Sequence, residues 1–130
     1  MEHTNNIPFQ ITDWSNIPKE EHRGEQGIAC WQTLQLGDLR LRLVEYSRNY
    51  IADHWCEKGH IIYCIEGDMT TELADGSKFK MSKGMTYQVS DDMSSHRTFS
   101  ENGVKLFVID GGFLKKKCFP VTDLSNSPHR

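Results

Sequence analysis

The sequence predicts an all-β fold, either a barrel or a sandwich of short strands. Apolar and polar residues alternate over short runs, turn-forming residues separate the runs, and helical periodicity is hard to find. About eight such runs follow one another at the spacing of roughly 8–12 residues that is typical of sandwiches and barrels. We take them in chain order.

The first two predicted strands are residues 29–36 and 38–46, which a turn at Gly37-Asp38 separates. In the second strand the leucines at positions 39, 41 and 43 face one way, and Arg40 and Arg42 face the other. Because apolar faces turn toward a core, we expect the two arginines on a solvated or dimer-facing surface rather than in an anion-binding site.

The remaining strands are predicted from residue 61 onward. Residues 61–65 form an uninterrupted apolar run, which suits a strand covered on both faces, and Glu66-Gly67-Asp68 is predicted to turn the chain. Asp75-Gly76 and Asn102-Gly103 are hairpin signals. The other strands are predicted at residues 69–73, 78–81, 85–89, 96–100 and 104–110.

The length of 130 residues indicates one domain that can bury a core. We expect residues 1–27 to form an arm or edge strand packed on the barrel, and residues 28–118 to form the barrel itself. Residues 119–130, which contain two prolines and many polar residues, are expected to form a tail on the surface.

Composition argues against two classes of partner. The formal net charge is −3 and the only basic run is three lysines at 115–117, too few for a nucleic-acid-binding surface. No apolar run approaches the roughly 18 residues of a membrane span, and the N-terminal stretch does not have the pattern of a secretory signal. We therefore expect a cytoplasmic protein with reduced cysteines, of which Cys30, Cys64 and Cys118 are predicted to be buried as small apolar residues.

Three side chains that can bind a metal lie close together in the stretch ADHWCEKGHIIYCIEGD, residues 52–68. On a strand, His54 and Cys56 would project from the same face, and His60 has the same parity after a turn, so one hairpin could direct three donors to one point. Two imidazoles and a thiolate favour zinc, iron, nickel or copper over magnesium or calcium. His96 is the best-placed fourth donor, because it begins a strand after a loop.

The same stretch resembles the first motif of the cupins, a family of small β-barrels. The motif places a His-x-His pair, a glutamate and a glycine at fixed intervals, and His54, Cys56, His60 and Gly67 keep those intervals. Cysteine stands here in place of the second histidine, and histidine stands in place of the glutamate. Asp53, His54, Trp55 and Cys56 are also similar to a group of small cupins described by a motif of Asp, His, Cys and Trp.

A second cupin motif is matched more loosely, and the resemblance extends over about residues 28–110. Gly84 takes the position of its first glycine, His96 follows one residue later than in the motif, and Ser100 occupies the asparagine position. The proline and second glycine of this motif are absent.

The resemblance implies a double-stranded β-helix, or jelly-roll, barrel that holds one divalent transition metal, with zinc, iron and nickel as the main candidates. Position by position, it implies the ligands His54, Cys56, His60 and His96. It also implies either a small metalloenzyme acting on a small organic molecule or a non-catalytic module that binds or senses one. A homodimer formed through an edge strand or the N-terminal arm is expected from the family, and residues 28–36 would serve as its surface.

Other roles for the same side chains stay open at this stage. In a barrel without metal, His60 and His96 would be hydrogen-bonded core groups. Cys56 would be a ligand, a reactive thiol beside the histidines, or a small core residue. Asp53 would be a solvated charge or would orient a ligand imidazole.

Overall fold

The computed structural model describes residues 6–115. Nine antiparallel strands form one curled sheet, with short 3-10 turns at Trp14–Asn16 and Gly112–Leu114. The strands are β1 (Glu20–Arg23), β2 (Ile28–Leu36), β3 (Leu39–Tyr46), β4 (Tyr50–Ile51), β5 (His60–Leu73), β6 (Lys78–Ser82), β7 (Thr86–Val89), β8 (His96–Ser100) and β9 (Val104–Gly111). Among these residues no helix is long and apolar enough to cross a membrane.

The all-β prediction is confirmed. Strands β2, β3 and β6 to β9 each begin and end within one residue of the predicted positions, because alternation and turn residues mark them clearly in the sequence. The two-residue strand β4 was too short to carry a periodic signal. Cys118 and the predicted tail lie outside the described residues.

The turn predicted at Glu66-Gly67-Asp68 is wrong, because β5 runs through it without a break. The register against β9 shifts between Cys64 and Glu66, so a β-bulge bends the strand at this point. β7 pairs with the half before the bulge, β6 and β8 pair with the half beyond it, and β9 pairs across the bulge as far as Gly67. One long bent strand therefore joins both walls of the barrel, where two shorter strands were expected.

Gly67 makes this bend possible, and its replacement is expected to destabilise the fold. Its φ of +86° lies in the left-handed region, and an added Cβ would meet the Gly103 carbonyl oxygen and the Val104 Cα. We expect Gly67→Ala to lower the free energy of unfolding by about 2–4 kcal/mol, from backbone strain plus overpacking. Gly76→Ala is the control: its φ is +93° but nothing lies within 4 Å, so only the strain of about 1 kcal/mol applies. Urea unfolding curves that gave the two variants equal stability would contradict this account.

The arginines of β3 face the barrel interior, so the prediction of a solvated or dimer-facing surface for them is wrong. Arg42 and Val44 are buried, whereas the neighbouring leucines of β3 are only partly buried. The alternation predicted correctly that the arginines share a face, but not which side that face takes. The inward side is decided by Asp110, which lies opposite Arg40 on β9 and gives both guanidinium groups a buried partner.

The interior has an apolar part and a polar part. The apolar cluster consists of Val44, Ile62, Cys64, Met69, Met81, Val104, Leu106 and Val108. The buried polar side chains include Arg42, His60, His96, Thr98 and Asp110. Because buried polar groups need partners, the polar part is where a binding site is expected.

The dimer surface predicted at residues 28–36 is partly covered within the chain. β1 pairs along β2 from Glu20 opposite Trp31 to Arg23 opposite Ile28. The outermost strand on this side of the sheet is therefore β1. Homodimerisation stays a prediction.

Candidate metal centre

Three of the four predicted donors converge in the polar part of the barrel. Cys56, His60 and His96 each offer one ligand atom, and these atoms lie within 4.8 Å of one another. The Cys56 Sγ lies 3.7 Å from His60 Nε2. Both histidines are buried, and the cysteine is partly buried.

Each donor is positioned by a different element. His60 begins β5 and His96 begins β8, so their rings are fixed by the sheet. Cys56 lies in the loop between β4 and β5, where the predicted hairpin strand does not form. Its backbone is nevertheless held to β8, because the amide nitrogens of Cys56 and His96 donate to each other's carbonyl oxygens at 2.7 and 2.9 Å.

The structure does not bring the fourth predicted donor, His54, into this group. Its side chain is 73% exposed, and its Nδ1 lies 2.6 Å from Asp53 Oδ1. Strand parity would have placed it beside Cys56, but residues 52–55 are not in a strand. His54 instead lies at the edge of the cavity that the other three donors line.

Both imidazoles of the group are held through Nδ1, which leaves Nε2 for a ligand. The Nδ1 of His96 lies 2.9 Å from the Ser94 carbonyl oxygen and that of His60 lies 3.2 Å from Asp110 Oδ2. These oxygens only accept, so Nδ1 carries the proton and the Nε2 of a neutral ring carries a lone pair. His96 Nε2 is buried and has no hydrogen-bond partner in the described part of the chain. Metal-binding histidines typically show this arrangement, so the donor set fits a transition metal.

Asp110 is the main supporting residue that sequence reasoning missed. It is 1% exposed and accepts two hydrogen bonds from Arg40, both 2.9 Å long, and one of 3.0 Å from Arg42. Burial acts to raise the pKa of Asp110, but hydrogen bonds to His60 and Arg40 and the charges of both arginines hold it well below its usual range. The carboxylate therefore stays ionised and fixes the His60 ring. Its parity with Leu106 and Val108 could have shown that it faces inward.

The same surroundings stabilise a thiolate at Cys56. In the metal-free protein burial acts to raise the pKa of the thiol, but the neighbouring imidazoles of His60 and His96, which can share the thiol proton through Nε2 while no metal is bound there, outweigh burial and lower the pKa to about 5. By contrast, burial raises the pKa of Cys64. Of these two thiols, Cys56 is therefore the one in the form that binds metals.

Alkylation of the metal-free protein tests this difference. Because the thiolate is the reactive form, the rate at which iodoacetamide modifies Cys56 is expected to be nearly flat from about pH 6 to 8. An ordinary thiol reacts about tenfold faster for each pH unit over the same range. Peptide mass spectrometry follows Cys56 and Cys64 in the same sample, and a rate at Cys56 that climbs with pH like that of an ordinary thiol would contradict the lowered pKa.

A cavity of about 560 Å³ opens in front of the three donors. Aromatic and basic side chains line it, among them Trp31, Arg42, Tyr46, Tyr50 and Tyr87. Burial raises the pKa of both Tyr46 and Tyr87, so their hydroxyl groups stay protonated. The volume suits a small organic ligand, and the walls offer both stacking surfaces and hydrogen-bond donors.

A second cavity, of about 390 Å³, lies on the other side of Tyr87 and His96, since these two residues line both cavities. Its lining is mostly apolar and includes Leu73, Met81 and Val89. No other residue of the three-donor group lines it, so the metal centre belongs to the first cavity.

Neither a protein-family model nor a curated protein matches the chain. Solved structures do match. Protein NMB1881 from Neisseria meningitidis superposes with a TM-score of 0.53 at 26% identity, over 63% of this chain and 82% of that one. An RmlC-like cupin from Shewanella frigidimarina has a TM-score of 0.64 at 16% identity, over 80% of this chain and 91% of that one. The iron(II) form of the enzyme HppE has a TM-score of 0.65 at 10% identity, over 82% of this chain and 63% of that one.

These likenesses confirm the predicted fold as a cupin-type jelly-roll barrel. HppE itself was solved with Fe(II) bound, a property of that protein. The narrower group described by the Asp, His, Cys and Trp motif stays a prediction.

Proposed function

We propose that this protein is a metal-binding cupin in which Cys56, His60 and His96 hold one divalent transition metal at the base of the larger cavity, where a small organic molecule reacts. The observation that carries this proposal is the convergence of three ligand atoms. One of them, His96 Nε2, is buried and has no hydrogen-bond partner among residues 6–115. A buried acceptor that nothing satisfies is costly, and a metal ion would satisfy it. The iron(II) bound by HppE supports the proposal by analogy only.

Three protein ligands favour a reactive site over a structural one. Structural zinc sites are usually closed by four protein ligands, whereas catalytic sites keep one position for water or substrate. A divalent metal held by these residues would supply Lewis-acid chemistry. A thiolate and two imidazoles suit zinc, iron or nickel.

The protein's own side chains would orient and shield the reacting molecule. Asp110 keeps the His60 ring in one tautomer and orientation. The hydroxyls of Tyr46 and Tyr87, which stay protonated, can donate hydrogen bonds to a ligand in the cavity. Because Trp31, Tyr46, Tyr50 and Tyr87 give part of the wall an apolar surface, a molecule bound against it would displace water from the donors.

A non-catalytic module that binds a small molecule is the second candidate. It is favoured by the state of Asp110, whose hydrogen bonds to Arg40, Arg42 and His60 leave it unsuited to accept a proton. Turnover assays on the metal-loaded protein would separate the two candidates once a ligand is known.

Metal content is the direct test. Wild-type protein expressed with zinc, iron and nickel in the medium is expected to carry about one metal per chain, and His60→Ala and His96→Ala are expected to lose it. His54→Ala is the matched control: the same substitution is made next to the centre but outside the group, so it should keep the metal.

Two results would contradict the proposal. Wild-type protein that carries no stoichiometric metal under any of these conditions would overturn metal binding itself. A His54→Ala variant that loses metal as fully as His60→Ala would overturn the three-ligand centre and make His54 the fourth ligand. Circular dichroism spectra of each variant establish that the loss is not due to unfolding.

A further inference from the structure

Arg42 lies beside the larger cavity with an N–H donor that lacks an acceptor. Its side chain is 6% exposed and lines the larger cavity. Nη2 donates to Asp110 Oδ2 at 3.0 Å, but Nε is buried and has no hydrogen-bond partner among residues 6–115. A guanidinium group offers five N–H donors, and a buried one that is left partly unpaired calls for an acceptor.

Arg40 makes an informative comparison, because it reaches the same carboxylate and is fully engaged there. Its Nε and Nη2 both donate to Asp110, each at 2.9 Å, in a bidentate pair. Within residues 6–115, Arg42 makes a single hydrogen bond to this carboxylate. Two guanidinium groups therefore share one carboxylate, and the surplus positive charge lies at Arg42.

The surroundings hold the Arg42 guanidinium group in place for a ligand. The Trp31 ring lies 4.4 Å from its Cζ, a distance at which the aromatic face attracts the cation. On the β9 side Arg42 is opposite Val108, and Val108 is opposite Ile62, two apolar residues that offer it no acceptor. On the β2 side it is opposite Thr33, which is exposed. The Arg42 side chain is thus held in place while its Nε–H donor lacks an acceptor.

The charges along the cavity wall also favour an anionic ligand. Five cationic side chains line it, Arg23, Arg40, Arg42, Lys58 and Arg97, against the two carboxylates Glu21 and Asp53. Of the cations, Arg97 pairs with Glu25 and Lys58 lies 4.0 Å from Asp91, both at the edge of the cavity. Arg97 Nε is also buried without a hydrogen-bond partner among residues 6–115, but its side chain is 26% exposed and already pairs with Glu25. Arg42, at 6% exposed, is the deeper of the two and lies beside the three-donor centre.

We propose that this cavity binds its ligand through an oxyanion, either a carboxylate or a phosphate group, that sits on the Arg42 guanidinium group beside the three-donor centre. The chemistry shared by the two groups is a pair of acceptor oxygens that a guanidinium group bonds in a bidentate manner. The inference rests on the proposed function in one respect, the metal that would lie next to the bound anion. The contact between the anion and Arg42 needs no metal.

The test is calorimetric titration of the full-length protein, both as purified and after chelation, with its metal content measured in each case. The probes are malonate, inorganic phosphate and malonamide, the uncharged analogue of malonate. We expect one of the two anions to bind at low salt and malonamide not to bind. Malonate in preference to phosphate would identify a carboxylate site, and the reverse order a phosphate site.

Matched variants assign the contact. Arg42→Lys keeps the positive charge but loses the paired N–H donors of the guanidinium group, and is expected to weaken anion binding about tenfold. Arg40→Lys also loses a guanidinium link to Asp110, so it controls for damage to the network, and should weaken binding less than about threefold. Circular dichroism spectra establish that both variants fold.

Two results would overturn the inference: no binding of either anion in any preparation, or equal losses in the two variants. Anion binding by a protein that takes up no stoichiometric metal under any of the expression conditions would leave this inference standing and remove the proposed function. Metal binding without anion binding would do the opposite.

Discussion

Replacement of Asp110 by asparagine is expected to weaken metal binding about 10–100-fold and to lower the free energy of unfolding by about 3–5 kcal/mol. The first effect arises because the carboxylate holds the His60 ring through Nδ1 at 3.2 Å. The second arises because Arg42, which is also buried, would lose its only charged partner among the described residues. Zinc titration and urea unfolding of the metal-free protein measure the two effects separately.

The free energy of unfolding measured at acidic pH tests the same variant a second time. Because the folded-state pKa of Asp110 is held below its unfolded value of about 3.9, its stabilising contribution is complete above that pH and is lost as the pH falls below it. The difference in stability between wild type and Asp110→Asn is therefore expected to be constant at neutral pH and to shrink below about pH 4.

Glu25→Gln serves as the control, since it removes a carboxylate that is 60% exposed from its pair with Arg97. It should cost no more than about 1 kcal/mol and leave metal affinity unchanged. If Asp110→Asn were as mild as Glu25→Gln, the buried network would not be what holds this end of the barrel together.

The sequence predicted most of the fold because strands with one face inside carry a period of two. The eight predicted runs and the nine observed strands differ at three places. At Gly67 a bulge took the place of a turn, so two runs form one strand. Two strands are added: β4, which has two residues, and β1, which lies in the segment expected to be an arm or edge strand. A glycine beside polar residues is found both in turns and in β-bulges. Only the pairing partners of the two halves of β5 distinguish the bulge from a turn.

The site was predicted in part, and the misses share one cause. Alternation assigns residues to a face, but it does not say whether a charged face is covered. Arg42 and Asp110 lie inside because each neutralises the other across β3 and β9, a pairing that links distant parts of the chain. His54 stands apart for a different reason: its parity argument required a strand that the loop after β4 does not form.

Replacement of Cys56 distinguishes a metal ligand from a thiol that merely lies nearby. Cys56→Ser keeps the size of the side chain but replaces a soft thiolate by a hydroxyl group that stays protonated, which is a poor ligand for zinc, iron or nickel. We expect zinc affinity to fall by more than about 100-fold, beyond the usual cost of losing a supporting residue such as Asp110. Titration with zinc against a competing chelator gives the value.

Cys56→His restores the histidine that the cupin motif carries at this position, and so separates the loss of a ligand from a change of ligand. It is expected to recover binding while shifting preference from zinc toward nickel and iron, because a borderline imidazole replaces a soft sulfur. Cobalt(II) reports the change directly: the sulfur-to-metal absorption band of the wild type should be absent from both Cys56 variants. Cys30→Ser is the control, since this half-buried cysteine of β2 lies outside the three-donor group. A sulfur band that persisted in Cys56→Ser would mean that another thiol binds the metal, because only one sulfur belongs to the centre built from Cys56, His60 and His96.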